Sequence, residues 1–215
     1  MKTLRILFLI SLFFVINSCT SPSNEEVTPI SPISLSNEGL AGTYAIPGIS
    51  IQFNDRTTLS NPIFNNWYTA IETDIKSEGK DVDLNIVFNP DKTYSIFGSF
   101  VLKSDYSFKN YVDDSESERK EYEQNNIINS SGTYEVYKDA TLNSIPKKGK
   151  LVLSPGFNFN THDDILLDPF FETERTEWYV EILQGNYMKL SNWNFDFGHR
   201  WSAEQTISLD VIKEN

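Results

Sequence analysis

The stretch VDLNIVFNPDKTYSIFGSFVLK, residues 82–103, decides how this chain is read. Val82, Leu84, Ile86 and Phe88 alternate with Asp83, Asn85 and Val87, the period-two pattern of a strand with one buried face. Asn89-Pro90-Asp91-Lys92 then turns the chain, because proline presets φ and Asn or Asp side chains bond to nearby backbone. Tyr94, Ile96, Phe100 and Leu102 return on one face, so an antiparallel pair is expected.

The same alternation recurs outward from this hairpin. Leu40 to Ile46 opens a strand that Ile49, Ile51 and Phe53 continue, with a kink or bulge expected at Pro47-Gly48. Tyr106, Phe108 and Val112 are expected to make a further strand after the one that ends at Lys103. Gly132 to Tyr137 and Lys150 to Leu153 form a second pair, joined by a long lysine-containing loop. Trp178, Val180 and Ile182 alternate with Tyr179, Glu181 and Leu183; Gln184-Gly185-Asn186 is a hairpin signal, and Tyr187 to Leu190 returns from it. Ile207, Leu209 and Val211 supply the last strand. The chain therefore reads as all-β, an antiparallel meander of about 8–10 strands, and alternation alone leaves closed barrel and two-sheet sandwich both open.

Three stretches depart from the pattern. Ile63, Phe64, Trp67, Tyr68, Ile71 and Ile75 recur at helical spacing between Asn61-Pro62 and Gly79, which predicts one inserted helix over 62–77. Its aromatic face reads as core, with a mobile lid as the other reading. Residues 113–126 are acidic and read as a solvated loop or a short exposed helix. Residues 154–176 are long for a connection and are expected to hold short structure around Ile165-Leu166-Leu167.

Composition bounds the function classes. The 215 residues include 29 aromatics and are 39% apolar, which fits one or at most two globular domains with a real core. A net charge of -12 argues against nucleic acid as a partner, since phosphate contacts need clustered Lys and Arg. One cysteine excludes an intrachain disulfide framework and cysteine-rich metal sites.

The N-terminus carries a further signal. Lys2 and Arg5 precede an apolar run from Ile6 to Ile16, too short to span a bilayer but right for a secretory signal peptide. The run ends Ile16-Asn17-Ser18-Cys19, which resembles the lipobox of bacterial lipoproteins. That resemblance implies lipidation of the Cys19 thiol, removal of residues 1–18 and a membrane anchor built from acyl chains such as palmitate. The bland reading is an ordinary signal peptide with an incidental cysteine. Cleavage there leaves 16 basic against 30 acidic side chains, a charge of -14, and no transmembrane helix. Residues 19–38, rich in serine and proline and without an aromatic, read as a flexible tether, and residues 39–215 as a single β domain. Ser23-Asn24-Glu25-Glu26 resembles the acidic export signal of surface lipoproteins in Bacteroidetes, against a plain polar linker. The expected location is the cell envelope, on the periplasmic face of the outer membrane or on the cell surface.

Several short motifs together resemble a known layout: Leu40-Ala41-Gly42-Thr43-Tyr44, then Phe88 to Tyr94, a second Gly132-Thr133-Tyr134, Lys150 to Leu153, and the hairpin from Trp178 to Leu190. They are similar to the lipocalin-like lipoproteins of Bacteroidetes, in outline over residues 40–212. Gly-Thr-Tyr stands where many members carry Gly-x-Trp. The resemblance implies an up-and-down β-barrel or strongly curved sheet with an apolar interior, either filled by side chains or holding one small hydrophobic ligand.

No motif in the chain demands catalysis. His162-Asp163-Asp164 offers three metal-ligating types, but adjacent on a loop and without a second cluster, so an exposed polar loop is the favoured reading. The acidic run near Asp113 lacks the spaced oxygen ligands of a calcium loop. No cofactor and no resident metal are expected. The segment from Trp193 to Trp201 groups four aromatics with Asp196, His199 and Arg200, and Trp193, His199 and Trp201 form a candidate surface patch, set against ordinary core and rim packing.

Three non-catalytic readings follow. A carrier of a small apolar molecule such as a lipid predicts a cavity lined by Tyr94, Ile96, Phe100, Trp178 and Val180. A structural or interaction lipoprotein predicts a filled core and an exposed aromatic patch. A sugar-binding surface protein predicts coplanar exposed aromatic rings.

Overall fold

The computed structural model describes residues 32–61, 66–111, 117–156, 175–197 and 201–214. Among these described residues there are ten strands: β1 (Gly42–Asn61), β2 (Asn66–Phe88), β3 (Thr93–Asn110), β4 (Ser117–Tyr137), β5 (Ala140–Leu142), β6 (Ile145–Lys147), β7 (Gly149–Ser154), β8 (Thr176–Gln184), β9 (Tyr187–Phe197) and β10 (Trp201–Lys213). Eight of them form a closed antiparallel barrel in the order β1-β10-β9-β8-β7-β4-β3-β2. Strands adjacent in sequence are neighbours throughout, except that the small β5–β6 hairpin is inserted between β4 and β7. The expected antiparallel barrel is present.

The hairpin that decides the reading forms as expected. Phe88 pairs with Tyr94 and Ile86 with Ile96, and the Asp91 carboxylate accepts hydrogen bonds from the Thr93 amide and hydroxyl across the turn. The bulge at Pro47-Gly48 appears as a register shift between Ala45 and Gly48 against β10. Gly185, at φ +60, makes the β8–β9 turn.

The helix expected over 62–77 is absent. Residues 66–77 are the first half of β2, and 62–65 lie outside the described residues. The reason is visible in Thr69, Ile71, Thr73 and Ile75, β-branched residues at every second position, a period that fits a pleated strand as well as the apolar residues fit a helix. Pairing with β1 on one side and β3 on the other settles the competition: Ile75 faces Phe53 and Tyr106. The acidic segment is likewise strand from Ser117 onward, paired with β3, its charged residues 118–121 exposed and an inward–outward alternation setting in from Tyr122.

Strand length is strongly unequal around the ring. β2 has 23 residues, about 75 Å of extended chain, whereas β7 has six, about 20 Å. β4 meets β7 only over Thr133–Tyr137, so among the described residues its upper part pairs with β3 alone.

The opposite end is capped. Ile33 and Leu35, within the segment expected to be tether, are buried in the core. The Ile33 amide donates to the Gly185 carbonyl at 2.8 Å, and Leu35 sits so close to Gly149 that a Cβ there would lie 2.5 Å from it. A one-turn helix, α1 (Asn37–Leu40), follows, N-capped by the Ser36 hydroxyl. Tyr44, Phe88 and Tyr134 form an edge-to-face aromatic group above it.

Candidate functional site

The barrel interior falls into two halves of different chemistry. In the capped half, inward positions on every strand are apolar and form one continuous core from Ile33 to Val211. Tyr94, Ile96 and Phe100 on β3, and Trp178 and Val180 on β8, all belong to it, and none is more than 2% exposed. The structure therefore brings the five sequence-predicted lining residues together, packed against the other apolar side chains of that core. The Tyr94 hydroxyl donates to the Pro155 carbonyl. Burial pushes its phenol above the usual range.

Above this core the same inward positions turn polar. Ser77 on β2 and Ser104 on β3 are register partners, both buried, with hydroxyl oxygens 2.7 Å apart. Asn126 on β4 pairs with Phe100 and is 2% exposed; its amide donates to the Gln124 carbonyl at 3.3 Å, while its own side-chain oxygen has no partner. Gln124, two residues earlier, has a buried side-chain oxygen that is also unpartnered. On β10, Gln205 shares the inward face with Ala203, Ile207 and Leu209, is 1% exposed, and has neither its oxygen nor its nitrogen hydrogen-bonded. Its register partner on β1 is Phe53, which packs with Ile75, Ala203 and Tyr106. One step further up β1, Asp55 lies in the same phase, and burial pushes its carboxyl above the ordinary value against a smaller pull from the Arg56 amide.

Sequence reading did not single out these polar residues. Their signal was a hydroxyl or carboxamide standing at an inward position of an otherwise apolar alternation, as Ser104 follows Phe100 and Leu102, or Gln205 precedes Ile207 and Leu209. At Ser77 the helical reading of 62–77 hid the phase.

The outer wall carries two further features. Trp193 and Phe195 project from β9 as a parallel stack, ring centroids 5.7 Å apart and planes 3° from coplanar, with Phe195 46% exposed. The Trp193 indole N–H donates to the Glu204 carboxylate at 2.8 Å. His199 and the side chain of Trp201 lie outside the described residues, as do Cys19 and His162-Asp163-Asp164. The second feature is a groove of about 480 Å³ across β2, β3 and β4, lined by Asp74, Lys76, Asp105, Lys109 and Arg119 among others. Arg119 forms a two-point bond with Asp105 that holds this carboxyl below its usual range. Acidic and basic groups alternate along the groove, so it presents no field of a single sign. Among the described residues no three His, Cys, Asp or Glu side chains gather as a metal site.

These features define an all-β protein built on one eight-stranded antiparallel barrel with an apolar capped half and, above it, buried polar side chains beside a small apolar cluster. No family model matches the chain, and no curated protein or solved structure matches it.

Proposed function

We propose that this protein is a lipid-anchored lipoprotein of the bacterial cell envelope whose barrel binds a small molecule without catalysing its conversion. The anchor rests on the lipobox at Ile16–Cys19, with an outer-membrane location on the periplasmic face or the cell surface. Ile33 enters the capped end of the barrel 14 positions after Cys19, so the membrane attachment joins the end remote from the polar layer.

The observation that carries the binding reading is the unpartnered carboxamide of Gln205 inside the barrel. A buried amide left without hydrogen bonds costs about 1–3 kcal/mol, which a bound molecule offsets. The reading as a binder rather than an enzyme rests on the layer's chemistry. Serine, asparagine and glutamine side chains hydrogen-bond but do not exchange protons near neutral pH, so they hold a ligand without acting as general acid or base.

The Trp193–Phe195 stack favours a second reading, a surface lipoprotein that works through its outer wall. Mass spectrometry on the full chain, extracted from its host membrane in a mild detergent, tests both parts of the proposal. Under denaturing conditions the mass should equal the chain from Cys19 plus its acyl groups; an unmodified Cys19 overturns the anchor. Under native conditions a releasable small-molecule adduct is expected. A bare barrel, with neither sugars nor a fluorescent fatty acid binding, overturns the carrier.

A further inference from the structure

The polar layer also narrows the chemistry of what it would hold. Ser77, Ser104, Gln124, Asn126 and Gln205 are all uncharged, and they reach the interior from β2, β3, β4 and β10. An anion seated among them would lose its hydration without gaining a counter-charge and would face the Asp55 carboxyl one step further up β1, which disfavours it. A purely apolar ligand would leave the Gln205 amide as unpaired as before. Each carboxamide offers both a donor and an acceptor, the combination that matches a hydroxyl group, itself both donor and acceptor. Phe53 and Tyr106 add ring surface at the same level, suited to the C–H face of a sugar ring.

We propose that the upper barrel interior is a binding site for a neutral, hydroxyl-rich small molecule of the carbohydrate class, held by Gln205 and Asn126 with Gln124 and the Ser77–Ser104 pair beside them. This rests on the reading of the barrel as a binder and specifies its ligand class. Gln205 approaches from β10 and Asn126 from β4, strands four apart in either direction round the eight-stranded ring, so a ligand between them would be gripped from opposite walls. Among the described residues, β4 above Thr133 is paired on one side only, which leaves that flank of the layer without a second strand.

The test is calorimetric titration of the full chain in detergent with glucose, N-acetylglucosamine and their β-linked oligomers, run beside a fluorescent fatty acid. One sugar should saturate at one-to-one stoichiometry. Gln205→Met and Asn126→Leu should each weaken it about tenfold, the loss of roughly one hydrogen-bonded pair, while thermal unfolding stays the same or moves up. Trp193→Ala and Phe195→Ala on the outer wall should leave the affinity unchanged, and they keep the proposal falsifiable if an interior variant fails to fold. Sugar binding that survives Gln205→Met but falls with Trp193→Ala places the site on the outer wall and overturns the inference. Binding of the fatty acid with silence from every sugar overturns the ligand class while leaving the binding barrel standing. Silence from both probes, with a higher unfolding midpoint for Gln205→Met, means that the amides are only hydrated and overturns both readings.

Discussion

Tyr44 on the first strand donates its hydroxyl proton to the carbonyl of Leu40 at 2.6 Å, and both residues are fully buried. The barrel is thereby fastened to the segment that closes it. Tyr44→Phe keeps the ring contact with Phe88 but leaves the Leu40 carbonyl without this donor. A loss of about 1–2 kcal/mol in unfolding free energy is expected from urea titration. A midpoint equal to that of the parent would mean that the bond adds nothing net.

The cap extends to Leu35, whose side chain lies against Gly149 in the core. Leu35→Ala should destabilise the barrel by about 2–3 kcal/mol, the usual result of emptying a buried leucine site. A chain truncated to begin at Gly42 should lose more than the point variant. Differential scanning fluorimetry of the three proteins checks the order, and an unshifted midpoint for Leu35→Ala would show the segment to be dispensable.

Gly98 on β3 holds φ +135 beside the register shift that separates Lys80 from Asp83 on β2. A Cβ there would lie 2.0 Å from the Asp83 carbonyl oxygen, so backbone rather than a flexible side chain would have to move. Gly98→Ala combines that clash with a conformation L-residues avoid, and should cost about 3 kcal/mol or more. Soluble yield and the urea midpoint report it; Gly185→Ala, with open space around it, isolates the conformational part.

Tyr187 donates to the Asp210 carboxylate at 2.6 Å, and this bond, aided by burial, raises its phenol to about 12 from 10.0. A folded value above the unfolded one means that its stabilisation is complete below pH 10 and is lost as the pH climbs toward 12. Tyr187→Phe should therefore flatten the fall of the urea midpoint across that window. The 295 nm titration of the variant should lack one late-ionising tyrosine.

Glu181 shows the opposite sign. Burial pushes its carboxyl up, but the Lys147 ammonium at 2.7 Å and the Ser191 hydroxyl outweigh it and leave the group below its ordinary value. Its contribution is present above the normal glutamate range and is lost as the pH falls through the lowered folded value. Glu181→Gln should cost about 1 kcal/mol at pH 7 and nothing in strong acid, read from urea midpoints along an acid series.

Much of this architecture was legible along the chain. The Val82–Lys103 hairpin, the bulge at Pro47-Gly48 and the Gln184-Gly185-Asn186 turn each depend on a few neighbouring residues, and each formed where the pattern put it. The segment 66–77 was misread because Ile71 and Ile75 satisfy both a helical and a strand period, and only pairing with β1 and β3 separates the two. Residues 33–38 looked like tether because their composition is polar. Two apolar side chains at the right place, Ile33 and Leu35, were enough to dock them.

By itself, then, the sequence determined the all-β class and the positions of its local turns, because period-two alternation and turn chemistry act over a handful of residues. The closed ring, the unequal strand heights and the polar layer were decided only by tertiary structure. Phe53 meets Gln205 across more than 150 residues of chain, and β4 meets β7 past an intervening hairpin. Which inward residues share a layer depends on the register between such distant strands, and no local pattern encodes that register.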